Sequence, residues 1–177
     1  MPCVTQLREA GIKFVSRRNY VSFLDIKFDK GVLELPPITV CDLTTTLFLN
    51  CIAMEQCSED TPSYFCTYIA VMSCLINSPR DVTSLFDDGI ITNSSYNDTD
   101  VALLFKGLEE NVPFNIRNCY LSKVFKDVEA YYNGHWSTLK RTYFRSPWTS
   151  LPVVSAVLLL ILSGIQAIMS IISSRTC

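Results

Sequence analysis

Alternating apolar and polar residues predict a β-hairpin in the first quarter of the chain. In "VSFLDIKFDKGVLELPP", Leu24, Ile26 and Phe28 alternate with polar residues, which is the two-residue period of a half-buried strand. Asp29-Lys30-Gly31 supplies turn-forming residues, and we expect Val32–Leu35 to return beside the first strand.

A helix is predicted to follow, with Asp42 as its N-cap. Leu43, Leu47, Cys51 and Met54 recur at i, i+4, i+8 and i+11, which is the spacing of one helix face. We therefore expect this stripe to face the core.

The next segments predict further helices. "YFCTYIAVMSCLI" is apolar on nearly every side and too short to span a bilayer, which favours a central core helix. Another helix is expected to start at Ser78-Pro79 and close at Gly89. Two more amphipathic helices are predicted, one capped by Thr99 or Asp100 and carrying Val101, Leu104, Phe105 and Leu108, and one running from about Asn118 through Leu139. The fold class is mainly α with a small β-hairpin, α+β.

An uncharged apolar run near the C-terminus predicts a single transmembrane helix. "LPVVSAVLLLILSGIQAIMSII" would extend ~33 Å as a helix, against ~30 Å of hydrocarbon, and no charged residue occurs between Arg145 and Arg175. The predicted division is a helical soluble domain over 1–145, the span over 146–174 and a short tail over 175–177. The membrane interface is assigned to basic and aromatic residues: Lys140, Arg141, Tyr143, Phe144, Arg145 and Trp148.

Charge asymmetry around that run predicts a membrane location, favouring the plasma membrane, with the domain in the cytosol. Residues 117–145 carry six basic and two acidic groups, and Arg175 is the one basic residue after the run. The Lys/Arg-rich side of a span stays in the cytosol. Within the run, small residues and a glutamine lie near one face and predict helix packing: Ala156, Ser163, Gln166, Ala167, Ser170 and Ser174.

Glycosylation sequons at Asn93 and Asn97, in "NSSYNDTD", favour the opposite topology. A polar loop of this composition also produces sequons by chance. An extracellular, receptor-like or ligand-like recognition domain with both asparagines glycosylated is therefore kept as the alternative.

Catalytic and metal-binding patterns are not found in the sequence. The chain has eight cysteines without a CxxC pair and a single histidine, His135, so a zinc site is not supported. A thiol-dependent enzyme would require His135 or another base beside a cysteine, which no spacing indicates. Cys51, Cys66 and Cys74 fall in apolar patterns and are expected to be reduced thiols of the core. No phosphate loop or cofactor motif is present, so we expect no cofactor.

Four blocks in order resemble a known plant family. They are "SFLDIKFDKGVLELPPITV", "LFLNCIAMEQC", "YIAVMSCLINSPRDVTSLFDDGIITN" and "YFRSPWTSLPVVSAVLLLILSGIQAIMSII". Together they resemble the C-terminal part of the "domain of unknown function 247" proteins, without the family's N-terminal half. The resemblance implies a plant protein with one C-terminal membrane helix and no established catalytic residues. Some grass members are linked to self-incompatibility loci, which implies recognition or signalling.

The functional expectation is a membrane-tethered interaction, recognition or signalling protein without catalytic activity. Its expected partners are the lipid bilayer and another protein, or a second copy, met through the membrane helix. Nucleic acid is not expected because the basic residues form no dense patch interleaved with aromatics. No small-molecule substrate is indicated.

Overall fold

The computed structural model describes residues 1–58, 62–93, 96–112, 119–134, 155–156, 158–166 and 168. These residues are mostly helical with a few short strands, an α+β arrangement. The elements in chain order are α1 (Val4–Glu9), β1 (Lys13–Ser16), β2 (Lys27–Asp29), β3 (Val32–Leu35), β4 (Ile38–Val40), α2 (Asp42–Gln56), α3 (Tyr64–Leu75), α4 (Pro79–Asp87), β5 (Ile91–Asn93), α5 (Asp98–Glu109) and α6 (Ser122–Tyr132).

The predicted hairpin is present as β2 and β3. The two strands pair antiparallel with Asp29 opposite Val32, and Lys30 and Gly31 form the turn with φ of 46° and 82°. Two central residues with positive φ are the signature of the tight turns that match strand twist. β1 adds to the other side of β3 in parallel, which the local pattern did not predict.

A second sheet consists of two parallel strands, β4 and β5. Ile38 lies opposite Ile91 and Val40 opposite Asn93. The strands are separated by α2, α3 and α4, so the pairing depends on how those helices pack and not on any local turn. Sequence periodicity did not predict this sheet.

The predicted central core helix is confirmed as α3. Nine of its residues are buried, and it packs between α2 and α5. Tyr68 is at the centre of an aromatic cluster, with its ring 5.2 Å from Phe23 and 6.2 Å from Phe48, and the Phe48 ring lies 6.5 Å from Phe105. Because Phe48 belongs to α2, this aromatic cluster holds α2 against the core.

Helix ends follow the predicted chemistry except at two N-caps. The N-cap of α2 is Cys41, and Asp42, which was predicted as the cap, is the first helical residue. Ser78 is the N-cap of α4, and Gly89, at φ 67°, closes it through bonds from Gly89 N–H to Phe86 O and from Ile90 N–H to Leu85 O. The N-cap of α5 is Asn97, two residues before Thr99 and three before Asp100, because its Oδ1 accepts from Asp100 N–H. α6 ends at Tyr132, and its predicted extension through Leu139 lies outside the described residues.

The predicted transmembrane helix is wrong. None of the helices in the described residues combines the length and apolar composition that crossing a membrane requires. The predicted transmembrane helix was the reason for predicting a membrane location, a single-pass topology and a cytosolic orientation. Those predictions are therefore not supported. The division at 145, 174 and 175 falls outside the described residues.

Candidate interaction surface

The outer face of α2, which we define as Leu43, Leu47 and Met54, presents apolar side chains to solvent. These residues are 75%, 56% and 58% exposed. They belong to the stripe that the sequence predicted as the buried face, so that prediction is wrong. Cys51, the fourth residue of the stripe, is only partly exposed.

The core-facing side of α2 is displaced by one position from that stripe. Thr44, Phe48, Ile52 and Glu55 are buried, with the same spacing as the predicted set. Phe48 and Ile52 supply the apolar contacts, and Phe48 joins the aromatic cluster around Tyr68. A helix with apolar residues on two sides packs one side against the core and leaves the other side exposed to solvent.

The carboxylate of Glu55 explains why the side of α2 that includes polar residues faces the core. Its Oε1 accepts from Phe65 N–H at 2.7 Å and its Oε2 accepts from Cys66 N–H at 2.9 Å. These amides lie in the first turn of α3, where no helical partner is available. The carboxylate therefore caps α3, and its charge is removed from the outer surface of α2.

After the exposed Asp42 in its first turn, the exposed side of α2 is uncharged as far as Met54. Residues 43–54 contain no Asp, Glu, Lys or Arg, although residues 31–110 contain twelve acidic and two basic residues. The side chains exposed beside the outer face are Thr46, Leu49, Asn50 and Ala53. An apolar, charge-free helix face on an acidic segment is typical of a surface that another polypeptide covers.

A groove continues the outer face at the N-terminal half of α2. It encloses about 500 Å³ and is lined by Leu47 together with Tyr20, Val21, Pro37, Ile38 and Thr39. Val21 is fully exposed at its edge. A concave site with a mixed apolar and polar lining can seat one large anchoring side chain of a partner.

A second, polar cavity lies between α1 and α4 and is organised by Asp81. Asp81 is 1% exposed and accepts from Thr5 N–H at 2.9 Å, Thr5 Oγ1 at 2.7 Å, Ser78 Oγ at 2.8 Å and Asn77 N–H at 3.3 Å. Burial opposes ionisation, but these hydrogen bonds outweigh it and lower the pKa of Asp81. Because Asp81 already has four donors, it serves to join α1 to α4.

The cysteines divide by environment. No disulfide joins the seven cysteines of the described residues. Burial raises the pKa of Cys66 to about 12, with the Glu55 carboxylate adding to the shift, and burial also raises the pKa of Cys51 and Cys74. Cys41, at the N-cap of α2, has its pKa lowered by a hydrogen bond with the Thr44 hydroxyl and by backbone N–H groups.

The residues predicted as sites are not gathered in one place. The six membrane-interface residues, His135 and Ala167, Ser170 and Ser174 lie outside the described residues. Ala156, Ser163 and Gln166 are helical and exposed, and Ser163 Oγ donates to Leu160 O at 2.9 Å, so their packing role stays a prediction. Asn97 is exposed as the cap of α5, and Asn93 ends β5. In the part of the chain that the structure describes, no group of three His, Cys, Asp or Glu residues could hold a metal ion.

The sequence did not identify the outer face of α2 as exposed, because its hydrophobic periodicity was interpreted as that of a core-facing stripe. A combination of two features could have found it: apolar residues on both sides of one helix, and a charge-free stretch within an acidic segment. Each feature is visible in the sequence.

Comparisons with known proteins agree on one family. The family described as plant protein of unknown function, DUF247, matches residues 1–162. A UPF0481 protein of Arabidopsis thaliana, At3g47200, is 35% identical over 95% of this chain, and a putative UPF0481 protein, At3g02645, is 28% identical over 98%. These matches cover 37% and 34% of the relatives, so the chain spans about a third of their length. No solved structure matches significantly.

Proposed function

The chain belongs to the plant DUF247 family, and from that premise we propose that it is a protein-interaction module, acting in recognition or signalling without catalysis of its own. We further assign it to the C-terminal part of the family domain, on the order of its four sequence blocks. The observation that carries the proposal is the outer face of α2.

The energetic argument is the cost of leaving that face in water. Each large apolar side chain that is moved from exposed to buried contributes about 1.5–3 kcal/mol. Leu43, Leu47 and Met54 lie on one side of a helix fixed to the core by Phe48 and by the Glu55 cap. A partner would therefore meet a preformed surface and would order few new groups.

Photo-crosslinking from two positions tests this proposal. A photoreactive phenylalanine analogue replaces Leu47 in one version of the full chain and Phe86 in another, and both are expressed in plant cells. Phe86 is the matched control because it is 48% exposed on α4, which packs mainly against α5 and α1. We expect a discrete protein adduct from position 47 and little from position 86. Equal yields, or no adduct from position 47, would overturn the proposal.

The extracellular alternative is favoured by one observation. Asn97 is exposed, and the capping bond uses its Oδ1, which leaves the Nδ2 that would carry a glycan. N-glycosidase treatment of the plant-expressed protein tests it, with the Asn97→Gln variant as control. A mobility shift that this variant loses would favour the alternative, and an unchanged mobility would remove it.

A further inference from the structure

We propose that the outer face of α2 is the docking surface for an apolar helix from the part of the family polypeptide that lies outside this chain's match. The inference rests on the proposed interaction function and names its partner. In the longer relatives the contact would be within one chain.

The first support is length. The two relatives match nearly all of this chain but only 37% and 34% of their own residues, so about two thirds of each lies outside the match. A polypeptide of that size needs surfaces on which to pack, and domains of one chain meet over interfaces of about 600–1,500 Å². The outer face of α2 is a preformed surface of this kind.

The second support is charge. From Leu43 to Met54 the face extends ~17 Å along the helix and carries no charged side chain. The Glu55 carboxylate is turned away to cap α3. The complementary partner is a helix with Leu, Ile, Val or Met repeating at three-to-four-residue spacing and no charge over about three turns. An acidic or basic peptide would leave its charges unpaired against this face.

The third support is the adjoining groove. Leu47 belongs both to the outer face and to the groove lined by Tyr20, Val21 and Ile38. A helix lying along α2 could insert one larger side chain there, which would fix its register. A second copy of this chain would instead bring together two acidic 31–110 segments, which disfavours self-association at neutral pH.

Co-expression tests the proposal with defined components. The full 177-residue chain is produced together with the unmatched region of the 35%-identical relative, and synthetic peptides tiling that region are titrated against the purified chain. We expect co-purification in a 1:1 ratio and binding by an apolar helical peptide. Leu47→Glu should weaken binding by at least about tenfold, and Phe86→Glu by less than about threefold.

The outcomes separate this inference from the proposed function. Absence of binding by both the region and its peptides, or equal weakening by the two variants, overturns the inference. If position 47 still crosslinks to a different protein in plant cells, the interaction function stands and the inference fails. A homodimer of the chain alone that Leu47→Glu dissociates would assign the face to a second copy and also overturn it. If neither crosslinks nor binding occur, both fail.

Discussion

The carboxylate of Glu55 caps the first turn of α3 by accepting the backbone N–H of Cys66 at 2.9 Å, and the neighbouring Phe65 N–H binds its other oxygen. Glu55→Ala would leave one buried and one part-buried N–H donor without an acceptor. We expect a loss of about 2–4 kcal/mol in the free energy of unfolding, measured by urea denaturation. Glu55→Gln, which keeps one acceptor oxygen, should lose less. The exposed control Glu109→Ala should change stability by less than about 0.5 kcal/mol. Equal effects at positions 55 and 109 would show that the cap contributes nothing.

Gly31 lies against the hydroxyl end of the Tyr131 side chain, and this contact joins the hairpin turn to α6. A Cβ at Gly31 would come within 2.7 Å of the Tyr131 ring, and its φ is 82°. Gly31→Ala should therefore destabilise the protein through both backbone strain and the ring clash. Gly89→Ala, at φ 67° with open space around it, should show only the backbone cost of about 1–2 kcal/mol. Equal melting temperatures for the two variants would show that the contact with Tyr131 contributes nothing to stability.

Ionised Asp81 stabilises the junction of α1 and α4, and this contribution should depend on pH. Because the folded pKa is lowered, the stabilisation is fully present above the unfolded value of about 3.9 and is lost as pH falls through the folded pKa. Asp81→Asn should cost about 2 kcal/mol at pH 7, and its difference from the wild type should shrink below about pH 4. Denaturation series from pH 7 to pH 3 measure this, with Asp87→Asn as the exposed control on the same helix. A difference that stays constant with pH would contradict the assignment.

Cys41 should be alkylated at lower pH than the buried cysteines. Its lowered pKa supplies thiolate at a pH where Cys66, with a pKa of about 12, remains protonated. Mass spectrometry of iodoacetamide adducts over a pH series should show Cys41 reacting well before Cys66. Thr44→Val, which removes the hydroxyl bond, should raise the pH at which Cys41 reacts. The neighbouring Asp42 carboxylate opposes the lowering of the Cys41 pKa, but the hydrogen bonds outweigh it. Equal rates for Cys41 and Cys66 would refute the assignment.

The elements that depend on local chemistry could be predicted from the sequence. Lys30-Gly31 provides the positive φ values of its turn, and α3 is apolar on so many sides that a buried helix was the simplest interpretation. The parallel pairing of β1 with β3 and of β4 with β5 could not be predicted, because it joins segments distant in sequence.

The outer face of α2 could not be assigned from periodicity because α2 offers two equivalent stripes. The stripes beginning at Leu43 and at Thr44 have the same spacing, and hydrophobicity favours the first. The structure buries the second, since Phe48 and Ile52 fill the core and Glu55 finds the amides of α3. The hydrophobicity pattern of α2 cannot indicate the contact made by Glu55, because that contact forms between two helices.

The central claim, that the outer face of α2 is covered by a polypeptide partner, is tested most directly by the oxidation rate of Met54. Met54 is 58% exposed, whereas Met72 is fully buried in α3 and serves as the internal reference. Hydrogen peroxide is applied to the purified chain and to the native assembly isolated from plant tissue, and the sulfoxide at each methionine is quantified by mass spectrometry. The account predicts that Met54 oxidises several-fold more slowly in the native assembly, and that Leu47→Glu removes this protection. Oxidation of Met54 at the same rate in both samples would contradict it.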